Sequence, residues 1–570
     1  MYFFSDGTDM QQRENLKKLQ KWMHANDVQA LLVPHEDMFG GEYLAAHDER
    51  LAWVSNFNGS AGLAIITCDQ AHLFVDGRYT LQAKTQSSHF AIHDLTANAI
   101  SSVCKTLSTL HYDPWLMSEG QLDTWKTRAK MHALTQNPID LLWSDRPQPN
   151  YKPAFNYPIQ YAGVATQEKL KIIYKDLDKH NCTAWFLSNP ESVCWLLNIR
   201  GEDLLYTPLL QAMALVEKEN ITLFCEPSKI SIELAAQLNL KVSPFKDLPD
   251  KLKTLKGKII ADKRTTPSAL GIPFNWQTDP CELSKAVKNP IEQQGMRDCH
   301  ARDAVALMRF WIWLENQESI TEMQAQDYLG TCREKIGLYR GDSFATISGF
   351  GPHGAIVHYR ATTKTNIPIN KGLYLLDSGG QYLDGTTDIT RTFCIGPSTQ
   401  EQRTHYTLVL KGHIALANAF FPVGTSGAQL DTLARQYLWN HGLDYAHGTG
   451  HGVGSFLNVH EGPQGVSRLR NVPLEVGMVV SNEPGLYIEN AYGIRIENLQ
   501  MVKKSKHKNF LCFESLTLVP YEASLIEKSL LTQMEMDWLQ SYYKNIWTKI
   551  SPILIRNEQK WLKNKLDQIL

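Results

Sequence analysis

Carboxylates stand where apolar strands ought to end. Residues 371–377 read KGLYLLD, an apolar run closed by Asp377, and residues 477–483 read GMVVSNE, closed by Glu483. A buried carboxylate is costly unless something positive compensates it. Whatever this chain folds into must therefore bring cations, from side chains or from solution, to the ends of its strands. Asp388 opens DITRTF, whose alternation fits a strand returning beside residues 371–377 after the turn chemistry of LDGTT. Such a hairpin brings Asp377 and Asp388 to one face near its open end. Asp384, before Gly385, reads as a turn residue. Glu497 lies on the alternating stretch GIRIEN, and Arg495 shares its face. That arginine either forms an ordinary strand ion pair or also orients a ligand carboxylate from behind.

The segment HGTGHGVGSFLNVHEGP carries His447, His451 and His460 among glycines that leave the backbone free to approach another element. It reads as a polar site lined with imidazoles. A lone GxGxG with no helix after it is weak support for a nucleotide loop. Asp377, Asp388, Glu483 and Glu497 cannot converge in a partly buried site on their own, because their repulsion would force protonation or unfolding. Two divalent ions resolve this. An oxygen-rich set with one imidazole, His451, and no thiolate suits Mn²⁺, Zn²⁺ or Co²⁺. Two ions about 3.5–4 Å apart are a standard device for activating a bridging water.

Elsewhere the chain reads as α/β. Roughly the first 300 residues state one order of elements twice, beginning at VQALLV and again at CTAWFL. Residues 51–67 are expected to hold a strand, a glycine-rich turn and a second strand. Proline-bearing polar stretches put boundaries at 145–150 and 279–290, and Pro290 is well placed to open a helix. The Trp/Tyr/Leu stripe of the last stretch reads as helix packing. Lys+Arg of 57 against Asp+Glu of 59 leaves a net charge of −2, which gives no reason to expect a nucleic acid partner. No segment approaches the ~18–20 uninterrupted apolar residues of a membrane span, and the N-terminus lacks the pattern of a secretory signal. Ten irregularly spaced cysteines without a CxxC pair argue against a disulfide framework and fit buried thiols in a reducing compartment, so a cytoplasmic location is expected.

The words SFATISGFGPHGAIVHY, LLDSGGQYLDGTTDITRTF, HGTGHGVGSFLNVHEGP, SNEPGLYIENAYGIRIEN, NFNGSAG and DGRYTLQA resemble those of the Xaa-Pro aminopeptidases of the long, three-domain aminopeptidase P type, across nearly the whole chain. The resemblance implies two N-terminal creatinase-like α/β domains, at 1–150 and 151–289. It implies a pita-bread metallopeptidase domain of two pseudo-symmetric halves at 290–520 and a helical extension at 521–570. It implies that Asp377 contacts one metal, that His451 and Glu483 contact the other, and that Asp388 and Glu497 bridge. Manganese is the first expectation, with zinc or cobalt as alternatives. The implied reaction is attack of a metal-bridging hydroxide on the bond before proline, with Glu483 moving the proton to the leaving nitrogen. His358, His447 and His460 would line the cleft, His358 and His460 assisting catalysis, and Arg78 would help fix the peptide. Peptides with N-terminal Xaa-Pro are the implied partners, the implied assembly is a homodimer, and neither nucleic acid nor membrane is expected. His353 departs from the family, where Asn is common. A prolidase shares the metal set but usually has a single N-terminal domain, which the doubled theme disfavours. A silent binding protein of this fold would have lost ligands that this chain keeps.

Overall fold

In the computed structural model, which describes residues 9–569, Ala30–Pro34 is a central strand covered on both sides. Its residues alternate between two cores: Leu31 and Val33 join Ile66, Leu73 and Val75, whereas Ala30 and Leu32 join Ile65, Phe74 and Leu110. That is the period-two signature of a strand with two buried faces. Six strands between Ala30 and Ala133 form one mixed sheet. Numbered by their order in the chain, they lie 4-3-2-1-5-6 across it. A second six-stranded sheet, from Ala184 to Trp276, has the same order and the same sequence of antiparallel and parallel neighbours. The repeat read from the sequence is thus a repeat of topology.

One expected strand is a helix. Residues 51–55 belong to Arg50–Ser55, which buries Leu51 and Val54 and ends at Asn56 with φ of 65°. The run is too short for periodicity to separate the two states, and Leu51 and Val54 sit three apart, on one helical face. Pro190–Leu197 occupies the same place in the second repeat and also ends on a left-handed asparagine, Asn198.

The chain forms two compact units, one from residues up to Tyr157 plus Val164–Cys281, the other from Pro158–Gly163 plus Glu282 onward. The first long helix of the second unit is Pro290–Leu314. Asn289 caps it by accepting from the N–H groups of Ile291 and Glu292, Glu292 accepts from the Asn289 N–H, and Pro290 takes the first turn. Glu322–Glu334 follows, then the antiparallel strands Ile347–Phe350, Gly372–Ser378 and Ile389–Ile395. A second pair of helices, Gln400–Ala417 and Gly427–Trp439, precedes an antiparallel sheet that includes Gly450–Gly452, Glu461–Val466, Val479–Asn482 and Asn498–Lys504. Two helices followed by antiparallel strands therefore occur twice in this unit. The last helices, Gln533–Ile550 and Arg556–Asp567, bury Leu539, Tyr542, Tyr543, Ile546 and Leu562 in the same core as Phe310 and Trp311. At about 1.5–3 kcal/mol for each large side chain, this burial holds the terminal helices in place.

Candidate metal centre

Asp377 is the penultimate residue of Gly372–Ser378, and it pairs with Thr390, while Ser378 pairs with Ile389. Asp388 therefore lies one residue beyond the last pair. Between the two acids the chain makes a smaller hairpin, Gly380–Tyr382 with Gly385–Thr386, in a separate sheet. The acids are thus gathered at the closed end of the long hairpin, where its strands diverge, and not at its open end.

His451 is the middle residue of Gly450–Gly452. Gly450 permits the approach, since a Cβ there would stand 1.9 Å from the Ser481 carbonyl oxygen. Glu483 directly follows Val479–Asn482, and its N–H donates to Thr449 O at 2.8 Å. Glu497 is not within a strand. It falls in the break between Tyr492–Arg495 and Asn498–Lys504, where its N–H donates to Thr390 O at 3.1 Å.

One donor atom from each of Asp388, His451 and Glu497 lies within 4.8 Å of the other two. His451 Nδ1 sits 2.9 Å from its neighbour's carbonyl, Gly452 O, and so must donate. In the neutral ring that leaves the Nε2 lone pair facing Asp388 Oδ2 at 3.4 Å and Glu483 Oε1 at 3.6 Å. A lone pair and two carboxylates facing each other need a cation between them. Asp377 Oδ1, Asp388 Oδ1 and Glu497 Oε1 are buried with no hydrogen-bond partner among the described residues. Buried acceptors of this kind are costly when left bare. The donor set fits divalent metal.

Burial, then the charges of Asp377 and Glu483, push Asp388 well above the usual carboxylate range. Burial with Asp388, Asp377 and Glu483 does the same to Glu497. Burial also raises Glu483, although His451 and Arg495 pull it back. Without a cation the cluster is driven to hold protons, so metal binding must release them.

Arg495 does not pair directly with Glu497. Its Nη2 donates to Asp377 Oδ2 at 2.7 Å and its Nε to Thr390 Oγ1 at 3.1 Å, and that hydroxyl donates to Glu497 Oε2 at 2.8 Å. Nη1 donates to Tyr487 OH at 2.7 Å, and this phenol stands 2.9 Å from His447 Nε2. His447 Nδ1 donates to Gly448 O. His447 lies 4.0 Å from Glu483 Oε2, and the His460 ring stands edge-on to that of His451 at 4.4 Å. His358 is half-buried in the turn after Gly351–Ala355, beside Val357, whose carbonyl accepts from Arg495 at 3.4 Å. Arg78 belongs to the other unit, where it donates to Asp76 at 2.8 Å. Thr390 and Tyr487 were missed in the sequence, although Thr390 is two residues from Asp388 and so was open to the same-face argument used for Arg495. His353 donates to the fully buried Glu322 at 2.8 Å and stacks on Tyr359.

Metallopeptidase family M24 matches residues 294–504, and the C-terminal region of peptidase M24 matches 509–569. The creatinase/prolidase N-terminal domain matches twice, at 15–136 and 145–292. A probable Xaa-Pro aminopeptidase P of Laccaria bicolor is 38% identical over 97% of this chain and 93% of its own. One of Neurospora crassa is 39% identical over 94% and 85%. The crystal structure of X-prolyl aminopeptidase from Caenorhabditis elegans, described as a cytosolic enzyme with a di-nuclear active site, matches with a TM-score of 0.94 at 33% identity, over 98% of this chain and 99% of that one. A prolidase from Pyrococcus horikoshii matches with a TM-score of 0.50 at 25% identity, over 62% of this chain and 99% of its own. With relatives of that identity along nearly its whole length, the chain belongs to metallopeptidase family M24, among the Xaa-Pro aminopeptidases P.

Proposed function

We propose that this chain is a metal-dependent aminopeptidase that removes the N-terminal residue from peptides with proline in second position. The observation that carries the reading is the convergence of Asp388, His451, Glu483 and Glu497, with Asp377 on the adjoining strand, around buried oxygens that have no hydrogen-bond partner among the described residues. A prolidase matches less of the chain, and a silent binding protein would not need these acids. In the proposed assignment Asp377 would help hold one divalent ion, His451 and Glu483 would help hold the other, and Asp388 and Glu497 would contribute to both. Two bound ions supply Lewis acidity and an activated water. Manganese is the proposed metal, with zinc or cobalt as alternatives.

The chain's own residues do the rest. Glu483 can take a proton on a carboxylate oxygen and deliver it to the departing proline nitrogen, a role that suits an acid raised by burial. His460 and His358 donate to the oxygen on which charge develops, and His447 helps hold the peptide. Arg495, through Asp377 and Thr390, keeps two of the acids oriented. A bond to proline is a tertiary amide without N–H, so recognition falls to the ring and the free amine. For Arg78 the family resemblance alone carries the assignment. We also propose the four-part division at 1–150, 151–289, 290–520 and 521–570, a homodimer and a cytoplasmic location. No described helix is long and apolar enough to cross a membrane.

The test is release of the first residue from Arg-Pro-Pro by metal-stripped protein, with and without Mn²⁺. Cleavage of the first bond alone, restored by metal, is expected. Glu483→Gln should keep its far-ultraviolet circular dichroism and lose about a hundredfold or more in kcat, since a ligand and the proton carrier go together. Near-normal turnover in that variant would sink the mechanism.

A further inference from the structure

Both aspartates of the long hairpin have a hydroxyl neighbour tied to one buried ion pair. Ser378 follows Asp377 along its strand, so its side chain points to the opposite face. There Ser378 Oγ accepts from Arg333 Nη2 at 3.1 Å. Thr387 precedes Asp388, and its hydroxyl donates to Asp303 Oδ2 at 3.0 Å while accepting from the Gly380 N–H at 2.9 Å. Arg333 Nε donates to Asp303 Oδ1 at 2.8 Å and Nη2 to Oδ2 at 3.3 Å. Tyr382 OH completes the set, donating to Asp303 Oδ1 at 2.8 Å.

Asp303 and Arg333 come from the helices Pro290–Leu314 and Glu322–Glu334 and are buried, at 3% and 0% exposure. Such a pair adds little net stability over apolar residues of equal volume. What it does supply is direction, because a guanidinium fork on a carboxylate has one preferred geometry. The pair is neutral in sum, so it adds no net charge to the acid cluster. Besides the bond from Tyr382, its outward bonds end one residue from Asp377 and one residue from Asp388.

We propose that Asp303 and Arg333 are positioning residues that set the spacing of Asp377 and Asp388 through Ser378 and Thr387, and with it the affinity for metal. This rests on the reading of those two aspartates as metal ligands. Mn²⁺ is titrated calorimetrically into the metal-stripped full chain as wild type, Ser378→Ala, Thr387→Val, Thr387→Ser and Asp303→Asn, with a thermal melt of each metal-free protein. Ser378→Ala and Thr387→Val should melt close to wild type and bind Mn²⁺ about ten- to a hundredfold more weakly. Thr387→Ser, which keeps the hydroxyl, should recover most of the affinity. Asp303→Asn should lose more than either single tether, and if it does not fold, the two hydroxyl variants still decide. Wild-type Mn²⁺ affinity in both hydroxyl variants would overturn the positioning role, whatever their melting temperatures. A folded wild type that binds no Mn²⁺ would instead overturn the metal reading beneath it.

Discussion

At the scale of single residues, burial moves titratable groups of this protein in opposite directions. Asp388, Glu483 and Glu497 are raised, whereas His413 and His300 are lowered and stay neutral. Burial pushes His413 from the ordinary 6.5 down to about 3, with Arg391 adding to it, and burial pushes His300 down to about 4. His413 is built for neutrality: Nδ1 donates to Asn482 O at 3.0 Å and Nε2 meets Tyr521 OH at 3.1 Å. A folded value below the unfolded one means that the unfolded chain takes the proton first. The stabilisation is therefore complete above about pH 6.5 and is lost as pH falls toward the folded values. Between pH 6.5 and 5 each histidine should withdraw about 2 kcal/mol. Urea unfolding at the two pH values checks this, and His413→Gln should show a pH dependence smaller by about that amount. An unchanged dependence in the variant would show that His413 is not the group responsible.

Among the elements, strand ends matter more than strand interiors. The strand Gly450–Gly452 carries His451 toward Glu483 because Gly450 has no side chain to strike Ser481. A methyl group there must push the two strands apart. Gly450→Ala is expected to cost about 1–3 kcal/mol and to release metal on dialysis that the wild type retains, as read by elemental analysis. Retention of both metal equivalents would show that the strands can yield without moving His451. The hairpin of Gly372–Ser378 and Ile389–Ile395 was legible in the sequence, because an apolar run ending in an acid and an alternating return are local patterns. Its closed end was not, since the inserted small hairpin joins another sheet. Arg50–Ser55 was misread for the same kind of reason: a short apolar run looks alike in both states until its neighbours choose.

On the scale of the whole molecule, the acid cluster belongs to one compact unit and the two repeated six-stranded sheets to the other. Metal removal should therefore raise amide exchange in Gly372–Ser378, Ile389–Ile395 and Val479–Asn482. It should leave Ala30–Pro34 and Ala184–Leu187 unchanged. Hydrogen-exchange mass spectrometry with and without chelator reads both, and equal deprotection of the two sets would contradict a metal effect confined to one unit. The sequence by itself determined the chemistry of the donor set, the topological repeat and the opening of the helix at Pro290, because each is written in side-chain type, spacing or local backbone preference. Only the tertiary structure decided that Arg495 pairs directly with Asp377 and reaches Glu497 through Thr390, that Thr390 and Tyr487 join the site, and that Asp303 with Arg333 stands behind the hairpin. Those partners are far apart in the chain, and a hydrogen bond between distant side chains leaves no periodicity in the sequence to be read.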